Sequence, residues 1–217
     1  MDVAITGIGV VSPIGTGLEA FCTGLNEARC KAELTPWAGE TGLENVWVSW
    51  IDDFEPECWM PRQVVNGTDR FAQLGLAAAV QAIHHSGLAA PPDPLRTATV
   101  MGTAFAGLET IAGAQHELDS RGAEAVPRKF QIKAWANMAA AQIALRWGLH
   151  GPLLTVSTAC ASSLDAVGMA AQMIASGRAD FAIAGGSDSA RTRLQVLSAL
   201  KYQLSLPHPD PAIAACR

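Results

Sequence analysis

Apolar and polar positions follow two alternating patterns along the 217-residue chain. Short continuous apolar runs, typical of buried strands, alternate with longer Ala-rich stretches whose apolar residues recur at helical spacing. This alternation predicts an α/β fold. The predicted strands cover residues 3–11, 97–103, 153–159 and 180–189, with a further short strand at 47–51 inside an irregular region from 31 to 68.

The predicted helices are longer than the strands, and several have end signals. They cover residues 17–28, 69–87, 108–118, 135–148 and 161–176. Asp69 stands at the positive end of its helix dipole, and Gly87 and Gly148 follow the last helical turns as C-terminal stops. Beyond Arg191 the pattern weakens. There "QVLSALKY" can form a helix, and the prolines of "LPHPDPA" predict a loop.

Composition narrows the function classes. Apolar residues make up 49% of the chain and charged residues 16%, so a sizeable core is expected. A formal net charge of -5 gives no reason to expect nucleic acid or an anionic membrane as a partner, and no apolar run is long enough to span a bilayer. The N-terminus lacks the basic segment of a signal peptide, and the five cysteines are scattered, so we expect a reducing cytoplasm.

Two familiar kinds of site are not supported by the spacing of their residues. Gly7 and Gly9 follow a predicted strand, but Ser12 stands where a dinucleotide-binding turn needs its third glycine. The adjacent His84 and His85 point to different faces of a helix and cannot chelate one metal. No Cys pair has zinc-ligand spacing, so the sequence predicts no metal site.

Cys160 lies between a predicted strand and a predicted helix, in the sequence "LLTVSTACASSLDAVGMAAQMIASG". Unpaired N–H groups at a helix N-terminus favour an anion, and the thiolate is the reactive form of cysteine. Ala161, Ser162 and Ser163 are small enough to leave room for a substrate. The helix is apolar almost all round, which predicts burial. Local sequence leaves two interpretations open, a nucleophile or a small buried side chain.

The segment "GPLLTVSTACASSLDAVGMAAQMIASGRADFAIAGGSDSA" resembles the active-site region of β-ketoacyl synthases, the condensing enzymes of fatty-acid and polyketide assembly. Further stretches resemble that family's N-terminal landmarks in the correct order: "VAITGIGVVSPIG", "DRFAQLGLAAAVQAI", "TVMGTAFAG" and "NMAAAQIALRWGLHGP". The resemblance covers nearly the whole chain. "SLDAVGMA" is similar to dissociated polyketide synthases, and "TAC" to elongating synthases.

The resemblance implies a thiolase-like fold, of which this chain would form the N-terminal half, with a mixed five-stranded sheet and helices on both faces. It implies that Cys160 accepts an acyl group as a thioester before a decarboxylative Claisen condensation with malonyl carrier protein. The N–H of Cys160 would then donate to the thioester oxyanion. Phe105 resembles a residue that lines the acyl tunnel, and Phe130 a pocket residue contributed across a dimer. The strand "TVMGTAF" resembles the central dimer strand.

The same resemblance implies partners. Substrates would arrive on the phosphopantetheine of an acyl carrier protein, with no cofactor bound by the chain itself. Arg62, Arg128 and Lys129 could dock the acidic carrier protein, although solvated surface charge explains each of them equally well. A homo- or heterodimer with a ketosynthase or chain-length-factor subunit is expected.

Family members are roughly twice as long, and their catalytic histidines, a lysine and a Gly-rich segment lie in the second half. The final "ACR", at Cys216 and Arg217, resembles the start of a motif that continues Pro-Phe-Asp. We therefore expect residues 1–190 to form a half-domain and 191–217 to lead toward a C-terminal half. Either that half is a separate or cleaved chain, or this sequence is part of a full enzyme. The alternatives are a truncated, non-catalytic partner subunit resembling a chain-length factor and, less favoured, a thiolase.

Overall fold

The computed structural model describes residues 2–40 and 42–214. Cys216 and Arg217, which carry the resemblance to the Pro-Phe-Asp motif, lie outside these residues. The chain divides into two compact units. The larger unit comprises Glu55–Ser189 together with the N-terminal segment up to Gly9, and the smaller comprises Val10–Phe54 and the segment from Ala190 onward.

The described strands are β1 (Val11–Ser12), β2 (Gly15–Thr16), β3 (Glu33–Leu34), β4 (Trp47–Val48), β5 (Thr97–Gly102), β6 (Leu153–Val156) and β7 (Phe181–Gly186). The described α-helices are α1 (Leu18–Asn26), α2 (Arg62–Gly67), α3 (Arg70–His85), α4 (Leu108–Arg121), α5 (Phe130–Ala134), α6 (Met138–Trp147), α7 (Ser162–Ala175), α8 (Arg193–Lys201) and α9 (Pro211–Ala214). Every predicted helix is present, and the observed bounds confirm the predicted α/β class.

A parallel three-stranded sheet forms the centre of the larger unit, in the order β6-β5-β7. In its register Gly102 at the end of β5 stands opposite Val156 of β6 and Gly186 of β7. All six residues of β5 are buried, as expected for the central strand of a parallel sheet covered on both faces. The carboxyl ends of the three strands therefore lie side by side at one edge of the sheet.

Helices cover both faces of this sheet. On one face α7 packs Ala166, Ala170 and Met173 against Ala98 and Val100. On the other face α3 and α6 pack against each other and against the sheet. Burying side chains such as Val100 and Met173 stabilises the layers by about 1.5–3 kcal/mol each.

The prediction of a first strand over residues 3–11 is wrong. Val3 and Ile5 are exposed, and strand pairing begins only at β1, which forms a two-residue ladder with β2. The segment instead runs along α3, where a Cβ on Gly7 would lie 2.0 Å from the Ala82 carbonyl oxygen. A Cβ on Gly9 would lie 1.9 Å from the carbonyl oxygen of Ala78, one turn earlier. These glycines allow the two backbones to pack closely. The described sheet has three parallel strands, whereas a mixed five-stranded sheet was predicted.

The structure also corrects two expectations about exposed surfaces. The strand that resembled a central dimer strand is β5, but β6 and β7 already occupy both of its edges. Helix α7 is not buried all round, since Leu164 is 76% exposed and Val167 39% exposed. Its buried face is the Ala166, Ala170 and Met173 stripe, because only that side meets the sheet.

The smaller unit has its own apolar cluster. Leu43 and Val46 pack with Val196 of α8, and Trp37 and Trp50 lie at its margin. The Arg191 guanidinium lies 5.2 Å from the centroid of the Trp50 ring and pairs with Asp52 at 3.0 Å. The predicted helix over 195–202 is confirmed as α8, which packs within this unit.

Candidate active site

Three loops meet at the carboxyl edge of the β6-β5-β7 sheet. The loop after β6 carries Cys160, the loop after β5 carries Phe105, and the segment after β7 carries Asp188. In open α/β sheets, ligands commonly bind outside the carboxyl ends of the parallel strands, between the loops that follow them. The structure thus brings together two residues singled out in the sequence and adds Asp188, which the sequence analysis missed.

The Cys160 turn is held by hydrogen bonds to the first turn of α7. The Thr158 N–H donates to Ser162 Oγ at 2.9 Å, and that hydroxyl donates to the Ala159 carbonyl oxygen at 2.6 Å. The Thr158 hydroxyl donates to Asp165 Oδ2 at 2.5 Å. Ser162 is buried, so it braces the turn and does not provide open space for a substrate as expected from its size.

Cys160 occupies the middle of a one-turn 3-10 helix, Ala159–Ala161, directly before α7. Ala159 has a φ of +53°, a left-handed conformation that costs a non-glycine residue energy and reverses the chain sharply. The Cys160 side chain is exposed. Within the described residues, 2–40 and 42–214, the backbone N–H of Cys160 forms no turn or loop hydrogen bond to a backbone carbonyl. The turn therefore presents a thiol and an available N–H together.

Two glycines allow the Cys160 turn to lie against the sheet. A Cβ on Gly102 would come within 2.4 Å of the Ser162 carbonyl group, and a Cβ on Gly186 within 2.4 Å of Ser163 Cβ. Both positions end a strand, so a larger residue there would push the start of α7 away. The strand ends and the Cys160 turn therefore pack so closely that no side chain fits between their backbones.

Phe105 lies on the loop between β5 and α4 and is 38% exposed. The next residue, Ala106, has a φ of +51°. The loop ends against α5, since the Gly107 N–H donates to the Ala134 carbonyl oxygen at 3.3 Å. Phe130 begins α5 and is half-buried. The elements that carry Phe105 and Phe130 are therefore in contact.

The three basic residues proposed for docking lie on other elements. Arg62 begins α2, has an 82% exposed side chain, and pairs with Glu57 at 3.8 Å. Arg128 and Lys129 are exposed just before α5. Lys129 Nζ lies 3.9 Å from a Cβ position on Gly67, at the end of α2. Arg62 and Lys129 thus lie at opposite ends of one short helix.

Metal sites and membrane spans are both missing from the described part of the chain. There, no group of three or more His, Cys, Asp or Glu side chains is arranged to hold a metal ion. None of the helices formed by these residues has the length and apolar character needed to cross a membrane.

Comparison with known proteins identifies the family. Residues 1–216 match the family described as "Beta-ketoacyl synthase, N-terminal domain". The chain therefore belongs to the β-ketoacyl synthase family and corresponds to its N-terminal domain. The resemblance seen in the sequence is confirmed.

Individual relatives agree with this assignment. The chain is 37% identical over 198 residues to "Putative polyketide beta-ketoacyl synthase 1" of Streptomyces cyaneus, covering 86% of this chain and 46% of that protein. It is 31% identical over 193 residues to "3-oxoacyl-[acyl-carrier-protein] synthase 2" of Vibrio harveyi, covering 88% of this chain and 46% of that protein. A solved structure, "The ishigamide ketosynthase/chain length factor", superposes with a TM-score of 0.83 at 29% identity, covering 95% of this chain and 51% of the other.

These figures confirm the thiolase-like ketosynthase fold and the half-length relation. The chain spans about half the length of the curated relatives that it matches.

Proposed function

We propose that this chain is the N-terminal half of a β-ketoacyl-acyl carrier protein synthase in which Cys160 accepts the acyl group. The observation that carries the proposal is the exposed Cys160 thiol, held with its N–H at the carboxyl edge of a parallel sheet. Relatives named for acyl-carrier-protein and polyketide synthesis support the same chemistry.

The first step is a thioester exchange. Cys160 Sγ attacks the carbonyl carbon of an acyl group carried on phosphopantetheine, and the carbonyl oxygen takes up negative charge. The Cys160 N–H would donate to that oxygen. The carrier sulfur then leaves, and the proton lost by Cys160 ends on the carrier thiol. An acyl-enzyme forms, which divides a difficult condensation into two easier steps.

Condensation would follow on the acyl-enzyme. Malonyl carrier protein loses carbon dioxide, and the resulting carbanion forms a bond to the thioester carbonyl carbon. The Cys160 thiolate is released as the carbon–sulfur bond breaks. Groups that stabilise the malonyl enolate are expected from a C-terminal half.

The experiment measures acyl transfer to cysteine by mass spectrometry. The chain, together with a C-terminal ketosynthase half, is incubated with acyl carrier protein thioester and digested. We expect the peptide containing Cys160 to gain the mass of the acyl group, and Cys160→Ala to abolish that gain.

Three other exposed cysteines provide the control, namely Cys22, Cys30 and Cys58. An electrophilic acyl analogue such as the epoxide cerulenin should modify Cys160 before any of these. Equal labelling of all four, or condensation that survives Cys160→Ala, would contradict the catalytic proposal.

Docking of the carrier protein is proposed for Arg62, Arg128 and Lys129. All three are exposed, and the Lys129 Nζ lies near Gly67 at the end of α2. Electrostatic docking of an acidic partner should weaken as salt rises, because exposed charges are screened. An acylation rate independent of ionic strength, or unchanged in Lys129→Glu, would contradict this role.

The dimer is proposed to form through β6. Among the described strands, β6 and β7 each pair with β5 on one side only. The outer edge of β6, which begins with the 39% exposed Leu153, is the edge proposed to pair with a second ketosynthase-like subunit. The ketosynthase/chain length factor structure supports a subunit of that kind. Leu153→Lys, which adds charge to the edge, should shift the sedimentation coefficient toward that of a single subunit, and an unchanged coefficient would count against the edge.

The domain division is proposed as predicted from sequence, with residues 1–190 as the half-domain and 191–217 leading toward a C-terminal half. Limited proteolysis of the assembled protein tests it, since cleavage should fall within the second segment before the first.

A non-catalytic partner subunit is the second candidate. The similarity to a solved structure whose name includes a chain length factor beside a ketosynthase favours it. In that case the chain would form a stable complex with a complete synthase, and the activity of the complex would survive loss of Cys160.

A further inference from the structure

A single carboxylate organises the loop that carries Phe105. Asp188 Oδ1 accepts hydrogen bonds from the Thr103 hydroxyl at 2.6 Å and from the Phe105 N–H at 2.8 Å. Asp188 Oδ2 accepts from the Ala104 N–H at 2.9 Å. Three donors from consecutive residues therefore converge on one side chain from the end of β7.

The Thr103 hydroxyl adds a second constraint on the shape of this loop. It donates to Asp188 and also accepts from the Ala106 N–H at 2.9 Å. Ala106 has a φ of +51°, which alanine adopts only when its surroundings hold it there. Successive N–H groups facing one way form a nest for an anion, and the Asp188 carboxylate fills it.

Asp188 does not serve the cysteine turn in the same way. That turn is held by Ser162 and Asp165, which belong to α7 itself. Loss of the Asp188 contacts should therefore change the Phe105 loop more than the Cys160 turn.

We propose that Asp188 is a positioning residue that sets the place of the Phe105 ring and thereby the length of acyl chain that the enzyme accepts. This inference rests on the proposed function, in which Phe105 lines the acyl tunnel. Charge-assisted hydrogen bonds to backbone N–H groups are stronger than neutral ones, so a carboxylate suits this purpose.

Two substitutions separate the carboxylate from the general shape of the residue. Asp188→Asn keeps the size but replaces one accepting oxygen with an NH₂ group, which would face a backbone donor. Asp188→Glu keeps the charge on a longer side chain and should restore part of the effect. Asp180→Asn is the matched control, because Asp180 precedes the opposite end of β7 and contacts Arg96.

The first measurement is hydrogen exchange of the assembled protein. In Asp188→Asn the Ala104 and Phe105 amides should exchange about tenfold faster, because their acceptor is weakened. Amides of α7 should be unaffected, and Asp180→Asn should leave the Ala104 and Phe105 rates unchanged. Equal protection in Asp188→Asn and the parent would overturn the inference.

The second measurement compares acylation of Cys160 from acetyl and octanoyl carrier protein. Asp188→Asn should change the ratio of the two rates by about threefold or more, in the direction seen for Phe105→Ala. Combining the two substitutions should add little, because they act on the same ring. A purely structural role would lower both rates equally, and that result would overturn the inference.

The outcomes also separate this inference from the proposed function. If the parent protein accepts no acyl group on Cys160, the proposed function fails and this inference fails with it. If the parent is acylated and Asp188→Asn keeps the parent's chain-length ratio, only the role of Asp188 is refuted.

Discussion

Cys160 reaches its position because the residues around it are small. Gly102 and Gly186 end neighbouring strands, and a Cβ on either would collide with the start of α7. Ala159 accepts a left-handed φ so that the chain can turn from strand to helix. The position of the Cys160 thiol is thus determined by glycine and alanine residues that carry no reactive side chain.

A pair of glycine substitutions tests this at the residue scale. Gly102→Ala should destabilise the protein by about 1–3 kcal/mol, because the added methyl group meets backbone atoms that cannot move aside cheaply. It should also slow acylation of Cys160. Gly113→Ala is the control, since Gly113 lies in α4 with open space around it and should gain about 0.5–1 kcal/mol. Denaturant unfolding measures both, and equal effects would contradict the steric explanation.

The elements of the larger unit are joined at both ends of the sheet. At the carboxyl ends, Asp188 connects the segment after β7 to the loop after β5. At the amino ends, Arg96 before β5 donates to both carboxylate oxygens of Asp180 before β7, at 3.0 and 2.7 Å. Arg96 also donates to the Gly177 carbonyl oxygen at 2.8 Å.

The Arg96–Asp180 pair gives a pH dependence at the scale of elements. The hydrogen bond from Arg96, with its positive charge, holds the pKa of Asp180 below its ordinary value and raises the pKa of Arg96. A lowered carboxyl pKa stabilises the fold above the unfolded-state value of about 3.9, and the stabilisation disappears as pH falls through the lower folded value. Asp180→Asn should therefore lower the Tm at pH 7, and the difference should begin to shrink near pH 4 and vanish only below the lowered pKa of folded Asp180.

Thermal unfolding followed by circular dichroism measures this difference. Asp119→Asn is the matched control, because Asp119 is exposed and accepts from the neutral Gln115 amide. A Tm difference for Asp180→Asn that persists unchanged into acid would contradict the ion-pair explanation.

In the larger unit, helix α7 has one face covered by the sheet and another face that is exposed. The buried side packs on the sheet, whereas Leu164 and Val167 face outward. The chain spans about half of its relatives' length, so a second half of comparable size is the proposed occupant of this stripe. Apolar residues clustered on a helix face commonly mark such contacts.

Leu164→Gln tests this assignment. The exposed side chain contributes little to the chain's own stability, so unfolding should change by less than about 0.5 kcal/mol. Binding to a C-terminal ketosynthase half should weaken by about tenfold or more, because burying a leucine contributes about 1.5–3 kcal/mol. Leu145→Gln on α6 is the control, with a leucine 72% exposed. Equal affinities of the two variants, measured by calorimetry, would refute the assignment.

Elements with strong local signals were predicted well from the sequence. Helix α3 was expected over 69–87 and spans Arg70–His85, with the Asp69 side chain accepting from the Phe71 N–H as its N-cap. Strand β5 was expected over 97–103 and spans Thr97–Gly102. Capping residues, glycine stops and continuous apolar runs act within a few residues, so they can be recognised in the sequence.

The failures involve partners distant along the chain. Residues 3–11 have the composition of a buried strand, but they run along α3, as the Gly7 and Gly9 contacts show. The apolar circumference of α7 predicts burial, yet only one face meets the sheet. Asp188 lies 85 residues from the Thr103 hydroxyl that it binds, and its only local signal is a polar residue just after a strand.

Local residue patterns were sufficient to predict the α/β class, most elements, the family and Cys160 as the candidate nucleophile. These depend on side-chain periodicity, end signals and motif order, all of which are local. Only the folded chain shows which strands lie at the edges of the described sheet, which face of α7 stays exposed, and how Asp188 holds the Phe105 loop. Those features depend on groups brought together across many residues, where hydrogen bonds and steric fit become defined only once the chain is folded.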